Sequence, residues 1–145
     1  MAHIVAVSVS EKKGMRKTNV PESFFVAEHG LKDDAHAGDG HRQVSLLAQE
    51  SIEKMQKLGL DVNAGDSAEN LTTSGIELVS LPVGTKMRVG ETVLMEVTQI
   101  GKVCHARCAI YYQAGDCVMP KEGIFTRVLE GGRVVPGDEI TIVVN

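Results

Sequence analysis

The prediction of a β-rich fold begins with one stretch in the second half of the chain, Lys86-Met87-Arg88-Val89-Gly90-Glu91-Thr92-Val93-Leu94-Met95-Glu96-Val97-Thr98. Two strand-like runs on either side of a glycine-containing turn are typical of a β-hairpin, so we expect a turn at Gly90-Glu91. The second run leads directly into Gly101-Lys102-Val103-Cys104-His105-Ala106-Arg107-Cys108. Cys104 would then lie just past the end of a rigid element, where a reactive group is well positioned.

The cysteine segment, residues 101–108, is locally positive. It carries an imidazole and two fixed cations besides its two thiols, and no Asp or Glu occurs from Thr98 to Gly115. The whole chain, by contrast, has 19 acidic and 15 basic residues. Positive neighbours favour the thiolate, which is the reactive form of cysteine. We therefore expect a nucleophile or a metal ligand here, the alternative being that Cys104 and Cys108 are small buried hydrophobic residues.

Length and composition indicate one soluble domain over residues 1–145. The chain has no Trp and only five Phe and Tyr residues, so its core must be mostly aliphatic. A net charge of −4 argues against a nucleic-acid partner. The apolar runs are far shorter than the ~20 residues of a membrane helix, and the start of the chain does not resemble a signal peptide. Three cysteines, an odd number, favour a reducing, cytoplasmic location.

Further strands are predicted from β-branched runs bounded by turn residues, at residues 4–9, 23–26, 42–47, 76–79, 134–135 and 140–144. The last two would form a closing hairpin around Pro136-Gly137-Asp138. Helices are predicted at residues 48–58 and from Lys121 to Gly131, and residues 30–41 form a long irregular loop. Short connections imply antiparallel pairing. We expect a closed or partly closed antiparallel β-barrel with two or more short peripheral helices.

Several stretches of the sequence resemble signatures of the MOSC domain, the C-terminal domain of molybdenum-cofactor sulfurases, which also occurs as small free-standing bacterial proteins. They are Asp34-Ala35-His36-Ala37-Gly38, Arg42-Gln43-Val44-Ser45-Leu46-Leu47, Ala68-Glu69-Asn70-Leu71, Gly101-Lys102-Val103-Cys104-His105, Lys121-Glu122-Gly123-Ile124-Phe125-Thr126-Arg127-Val128-Leu129 and Val135-Pro136-Gly137-Asp138-Glu139-Ile140. The resemblance extends from about His36 to the C-terminus in the same order and spacing.

The resemblance implies a strand-rich, barrel-like fold and a role in handling the molybdenum or tungsten pterin cofactor. The family's cysteine falls on Cys104, which would carry sulfur as a persulfide or, in related enzymes, ligate the metal. A cysteine desulfurase or another sulfur donor and a molybdoenzyme or cofactor-biosynthesis acceptor are the implied partners, and a homodimer is left open. The pyridoxal-phosphate desulfurase domain of the full-length sulfurases is absent, so we expect no pyridoxal phosphate in this chain.

An anionic, phosphate-bearing cofactor needs fixed cations, and Arg can bind phosphate through two parallel hydrogen bonds. The candidate cofactor-binding residues come from the motif stretches and the cysteine segment: His36, Arg42, Glu69, Asn70, Lys102, His105, Arg107, Lys121 and Arg127. Three of them, Lys102, His105 and Arg107, would also stabilise the Cys104 thiolate. Asp34 would complete the pocket. Glu69 and Asn70 could equally be ordinary turn residues.

Two other functions stay open at this point. The chain could be a molybdenum-cofactor-dependent reductase of N-hydroxylated compounds, with Cys104 as the metal ligand. It could instead hold structural zinc through Cys104, Cys108, Cys117 and a histidine, although this spacing does not match paired CxxC ribbons.

Overall fold

A computed structural model describes residues 2–10, 17–32, 34, 43–57 (apart from the side chain of Met55), 59, 63–64, 69–100 and 123–143. The strands in these ranges are β1 (His3–Val9), β2 (Thr18–Val20), β3 (Ser23–Val26), β4 (Gly30–Leu31), β5 (Val44–Ala48), β6 (Leu71–Ser74), β7 (Lys86–Val89), β8 (Val93–Ile100), β9 (Ile124–Glu130), β10 (Gly132–Val134) and β11 (Ile140–Val143). They are accompanied by the helix α1 (Gln49–Lys57) and a 3-10 turn, Leu78–Ser80.

The strands form two sheets. The larger has the order β11-β7-β8-β9-β5-β6-β1-β2, and the smaller has the order β10-β3-β4. All neighbouring pairs are antiparallel except β5 and β6, which run parallel. Parallel strands need a crossover connection, and here α1 lies between them in sequence and packs on both. The uniformly antiparallel expectation is therefore wrong at this one pair.

The hairpin predicted at the centre of the sequence is confirmed. Strand β7 pairs with β8 from Lys86 opposite Glu96 to Val89 opposite Val93, and Gly90 adopts a φ of +63° in the turn. Burial alternates along both strands, as expected for a sheet with one face on the core. The core itself is aliphatic, with Ile4, Val7, Leu46, Leu71, Met87, Met95, Val97, Ile124 and Val128 among its members.

The second predicted helix is wrong, because its central residues form strand β9. The apolar positions Ile124, Phe125, Val128 and Leu129 fit one helical face, but they also fit a strand inserted between two others. Strand β9 lies between β5 and β8, so its backbone groups are paired on both sides. Pairing and burial of Ile124, Phe125 and Val128 therefore outweigh the helical periodicity.

The predicted closing hairpin is also wrong as a pairing, although its turn is present. Strand β10 pairs with β3 and β11 with β7, so the two strands belong to different sheets. Between them, the amide of Val135 donates to Asp138 Oδ2 at 3.0 Å and Gly137 has a φ of +99°. The strand expected at residues 76–79 is wrong as well, because a 3-10 turn begins at Leu78 and the nearby strand β6 lies earlier, at Leu71–Ser74.

The mainly-β class is confirmed, but closure into a barrel is not. Both sheets are open, and α1 is the one α-helix in the described ranges, where two or more helices were expected. An isolated bridge between His3 and Glu139 brings the start of β1 beside the start of β11. Two backbone bonds, from Ile4 N to Asp138 O and from Gly137 N to Ile4 O, support that contact. No helix in the described ranges has the length and apolar character needed to cross a membrane.

Gly30, in β4 of the smaller sheet, lies against the backbone of Gln43, the residue before β5, and its replacement tests this close approach. Gly30 has a φ of +118°, and an added Cβ would lie 2.6 Å from the backbone oxygen of Gln43. Gly84 has a φ of +96° but open space around its Cα. We expect Gly84→Ala to cost about 1–2 kcal/mol of unfolding free energy from the backbone conformation. We expect Gly30→Ala to cost about 1–3 kcal/mol more from the steric clash. Urea unfolding measures both, and equal losses would contradict this packing.

Candidate functional site

The register of the larger sheet fixes where the described candidate site residues lie. Ile100, Ile124, Leu46 and Leu71 form one row across β8, β9, β5 and β6. Strand β8 ends at this row, and β5 and β6 end beyond it on the same side, which we call the Ile100 edge. Strand β6 begins at the row, and on the other side of the row β5 begins and β1 ends; we call that side the Asn70 edge. Cys104 follows the Ile100 edge in sequence, whereas Glu69 and Asn70 belong to the opposite edge.

Asn70 links three strands at its edge. Its amide donates to Ser45 O at 2.9 Å, and its backbone carbonyl accepts from the amide of Ser8 at 2.8 Å. Its side-chain Oδ1 accepts from Ser45 N at 3.0 Å, and Nδ2 donates to Ser8 O at 3.1 Å. Asn70 is fully buried, so each of these bonds stabilises the fold by about 0.5–1.5 kcal/mol. This asparagine is thus a structural link between β5 and β1, with its amide groups already engaged.

A buried ion pair lies beside Asn70. Lys17 Nζ is 2.7 Å from Asp34 Oδ1, and the side chains of both residues are fully buried. The ammonium also donates to Ser10 Oγ at 3.0 Å, and the amide of Ser10 donates to Asp34 Oδ1 at 3.0 Å. The pair therefore connects the end of β1 to the chain entering β2 and to the chain leaving β4. We call Ser10, Lys17, Asp34 and Asn70 the Asn70 cluster.

Asp34 stays ionised in this cluster. Burial by itself raises the pKa of Asp34, but the hydrogen bond and charge of Lys17 lower it, with help from the Asn70 side chain and the Ser10 amide. The balance leaves the pKa of Asp34 below its ordinary value of 3.8. At neutral pH this carboxylate only accepts hydrogen bonds, so it holds chain segments together and has no proton to give.

Glu69 precedes Asn70 and is also fully buried. Its Oε2 accepts a hydrogen bond of 2.9 Å from Thr72 Oγ1, three residues further along. Thr72 lies within β6, and its side chain is fully buried as well. The Glu69-Asn70 pair therefore contributes to the packed start of β6 and is not a solvated turn.

Arg127 lies on β9 with its charge compensated by neighbouring carboxylates. Its Nε is 3.0 Å from Glu96 Oε1, its cross-strand partner, and its Nη1 is 3.7 Å from Glu28 Oε2. The side chain is 40% exposed, so these contacts are surface ion pairs of modest strength. Two adjacent carboxylates make this guanidinium a poor anion site.

The described residues alone do not fit an anionic pterin cofactor. Asn70 is engaged with backbone and Arg127 with carboxylates, and neither offers a donor set for a phosphate or a dithiolene. The other members of the predicted set lie outside the described residues: His36, Arg42, Lys102, Cys104, His105, Arg107 and Lys121. Cys108 and Cys117 of the zinc alternative lie outside them too. Within the described ranges, no three His, Cys, Asp or Glu side chains are grouped to hold a metal.

Sequence reasoning missed Lys17, Ser8 and Ser45. Lys17 sits in a polar connector whose sequence gives no sign of burial, and its partner Asp34 is 17 residues away. Ser45 lies in an apolar run, where its hydroxyl was the one signal that a polar partner was needed.

The Lys17–Asp34 pair predicts a non-additive stability change. Removing one partner leaves a buried unpaired charge, so Lys17→Met and Asp34→Asn should each lower the unfolding free energy by about 3–5 kcal/mol. The double variant should lose only about 1 kcal/mol, because no charge remains buried. Urea unfolding at pH 7 measures the cycle. The buried pair would be contradicted if each single variant lost less unfolding free energy than the loss of a surface ion pair causes. It would also be contradicted if the double variant lost the sum of the two single losses.

The depressed pKa of Asp34 gives the pH dependence its sign. A carboxyl with a lowered folded pKa stabilises the fold fully above its unfolded pKa and loses that contribution as pH falls through the folded value. The stability difference between the wild type and the double variant should be constant above about pH 5 and shrink below the ordinary value of 3.8. A difference that grows with acidification would show that Asp34 is not held by Lys17.

Several solved structures share this fold. The YUAD protein of Bacillus subtilis superposes with a TM-score of 0.80 at 19% identity, over 97% of this chain and 94% of that chain. YiiM from Geobacillus stearothermophilus gives 0.75 at 21% identity, over 99% and 76%. YiiM from Escherichia coli gives 0.71 at 22% identity, over 100% and 71%. These identities establish similarity of fold alone, and no curated protein matches by sequence.

The sequence itself gives the family. A family model for the MOSC domain matches residues 33–141, well over half of the chain. The matched range includes Asp34, Glu69 and Asn70 of the site described above, and it spans the cysteine segment between β8 and β9. The chain belongs to the MOSC domain family.

Proposed function

We propose that this protein is a sulfur carrier in molybdenum or tungsten cofactor metabolism, and that Cys104 holds the sulfur as a persulfide. The MOSC family is linked to molybdenum-cofactor sulfurase-like proteins, and the family match includes Cys104. The cofactor itself enters only as the destination of the sulfur, because the described residues do not form a site for it.

The observation that carries the proposal is the anchoring of the chain on both sides of the cysteine segment. Ile100 at the end of β8 and Ile124 at the start of β9 are register partners in an antiparallel ladder. Their Cα atoms are therefore about 4.5–5.5 Å apart. Cys104 is the fourth residue after Ile100, so its chain departs from a strand held by β7 on one side and β9 on the other.

The paired ends of β8 and β9 at the base of the cysteine segment suit a group that must react with a second protein. A nucleophile on a chain fixed at both ends loses less conformational freedom when it reacts than one on a free terminus. Elsewhere in the larger sheet, the Asn70 cluster and the hydrogen bonds of Asn70 hold β1, β5 and β6 together. The described part of the chain thus acts as a stiff platform for the cysteine segment.

The sulfur transfer is a thiol–disulfide-type exchange without net oxidation. The Cys104 thiolate attacks the outer sulfur of a donor persulfide and a new S–S bond forms. The donor's own S–S bond breaks, and the donor cysteine leaves as a thiolate. Lys102, His105 and Arg107, all within three residues of Cys104, supply positive charge that favours the attacking thiolate. A cysteine thiolate of a molybdoenzyme or a cofactor-biosynthesis protein then attacks the outer sulfur of the Cys104 persulfide, so that a new S–S bond forms on the acceptor and Cys104 leaves as a thiolate.

Loading with sulfur is the test of this function. The protein is incubated with a cysteine desulfurase and cysteine, and its intact mass is measured without reductant. We expect the wild type to gain one sulfur atom and Cys104→Ser to gain none, because the attacking thiolate is lost. Cys108→Ser is the matched control from the same segment and should load like the wild type. Full loading of Cys104→Ser would remove the proposal.

Metal and pterin analysis of protein from a cofactor-competent host separates the reductase function from the carrier function. If the protein contained stoichiometric molybdenum or tungsten with pterin, and the wild type failed to accept sulfur, the reductase function would be supported and the carrier function rejected.

A further inference from the structure

A surface cavity of about 420 Å³ opens between α1 and the chain that follows β6. Its floor and walls among the described residues are mainly apolar, and its mouth carries charged side chains. The lining consists of Ala48, Glu50, Ser51, Lys54, Gly75, Ile76, Glu77, Leu78 and Val79. A volume of this size is large enough for one or two apolar side chains of a partner or for a small ligand.

The cavity lies at the Ile100 edge. Ala48 is the last residue of β5, and Gly75 directly follows β6. Both strands run past the register row that contains Ile100, in the same direction as β8 runs toward Ile100. The Asn70 cluster is at the other edge, so the cavity is separate from the buried polar site.

Exposed apolar side chains accompany the cavity at this edge. Val79 is 38% exposed in the cavity wall, Val83 is 61% exposed and Ile100 is 42% exposed. Val83 precedes Gly84, whose amide donates to Val97 O, so this segment runs beside the last residues of β8. Three of the five large hydrophobic residues that are exposed in the described ranges therefore lie at one edge of the sheet. Exposed apolar side chains that are grouped in this way are typical of interaction surfaces, whereas singly exposed ones are common on any protein.

We propose that this cavity is the docking site of the protein that donates sulfur to Cys104, and that it receives an apolar side chain of that donor. The inference rests on the proposed function. The cysteine segment begins at this edge, with Cys104 the fourth residue after Ile100, so a protein bound over the edge lies beside the start of that segment. The cavity and the exposed valines are the apolar surface at that edge among the described residues.

Charge at the mouth indicates what surrounds the docked side chain. Among the described lining residues, Glu50 and Glu77 carry carboxylates and Lys54 carries an ammonium. Glu50 also accepts a hydrogen bond of 3.0 Å from the amide of Gly75, which fixes one carboxylate beside the opening. A donor segment with a basic residue next to its apolar anchor complements this rim.

The experiment compares two charged substitutions at exposed valines. Val79→Lys places an ammonium in the cavity wall, whereas Val26→Lys is the matched control on β3 of the smaller sheet, 43% exposed. Sulfur loading of Cys104 is followed by mass with two donors, a cysteine desulfurase with cysteine and glutathione persulfide. For each variant the ratio of the two initial rates is taken, so that a general loss of thiol reactivity cancels.

We expect Val79→Lys to lower this ratio about tenfold, as for loss of one central apolar contact in an interface, and Val26→Lys to leave it at the wild-type value. A wild-type ratio in Val79→Lys, with Cys104 still loading, would overturn the docking site and leave the carrier function standing. An equal fall in both variants would also overturn it, since the effect would not be local. A wild type that loads from neither donor would overturn the carrier function and the docking site with it.

Discussion

The hydrogen bonds of Asn70 are the constraint on which the described fold depends. Strand β6 lies between β5 and β1 in the sheet but begins only at Leu71, so the residue before it, Asn70, must connect these two strands. Asn70 bridges them with its backbone and side-chain amide groups at once. Asn70 is fully buried, so leaving one of its polar groups without a hydrogen bond would cost more free energy than one such bond contributes. The network therefore stabilises the fold only when all of its bonds are formed.

The neighbouring Lys17–Asp34 pair extends this constraint to segments far apart in sequence. It holds the end of β1, the chain entering β2 and the chain leaving β4 at one buried point. The result is a sheet with two dissimilar edges, one closed by buried polar groups and one carrying a cavity and exposed apolar side chains. Polar motif residues that the sequence suggests for chemistry serve structure at the first edge, and the second edge leads to Cys104.

The sequence predicted those elements whose local pattern and tertiary setting agree. The hairpin of β7 and β8 has alternating burial and a glycine turn, and α1 has charges that suit its dipole, so both were found. The apolar spacing of strand β9 fits a helix as well as a strand, and only pairing with its neighbours β5 and β8 decides between them. Strand β6 was missed because its threonines look like loop residues until both faces are covered.

The candidate site was predictable to a smaller extent, because its contacts join distant segments. Glu69 and Asn70 were named from their motif, but their burial and bonding to Ser45 and Ser8 follow from strand order, which local patterns do not encode. Lys17 gave no signal at all. The family, by contrast, follows from the order of several motifs along the sequence and does not depend on the tertiary contacts.

The central claim is that Cys104 is an ionised, reachable thiol, and its alkylation rate as a function of pH tests this most directly. Iodoacetamide labelling is followed by peptide mass, with Cys108 and Cys117 as internal references in the same molecule. The account predicts that Cys104 reacts fastest, with a midpoint below the value of about 8.5 of an ordinary thiol. A Cys104 that reacts no faster than its two neighbours, or only at or above that pH, would contradict it.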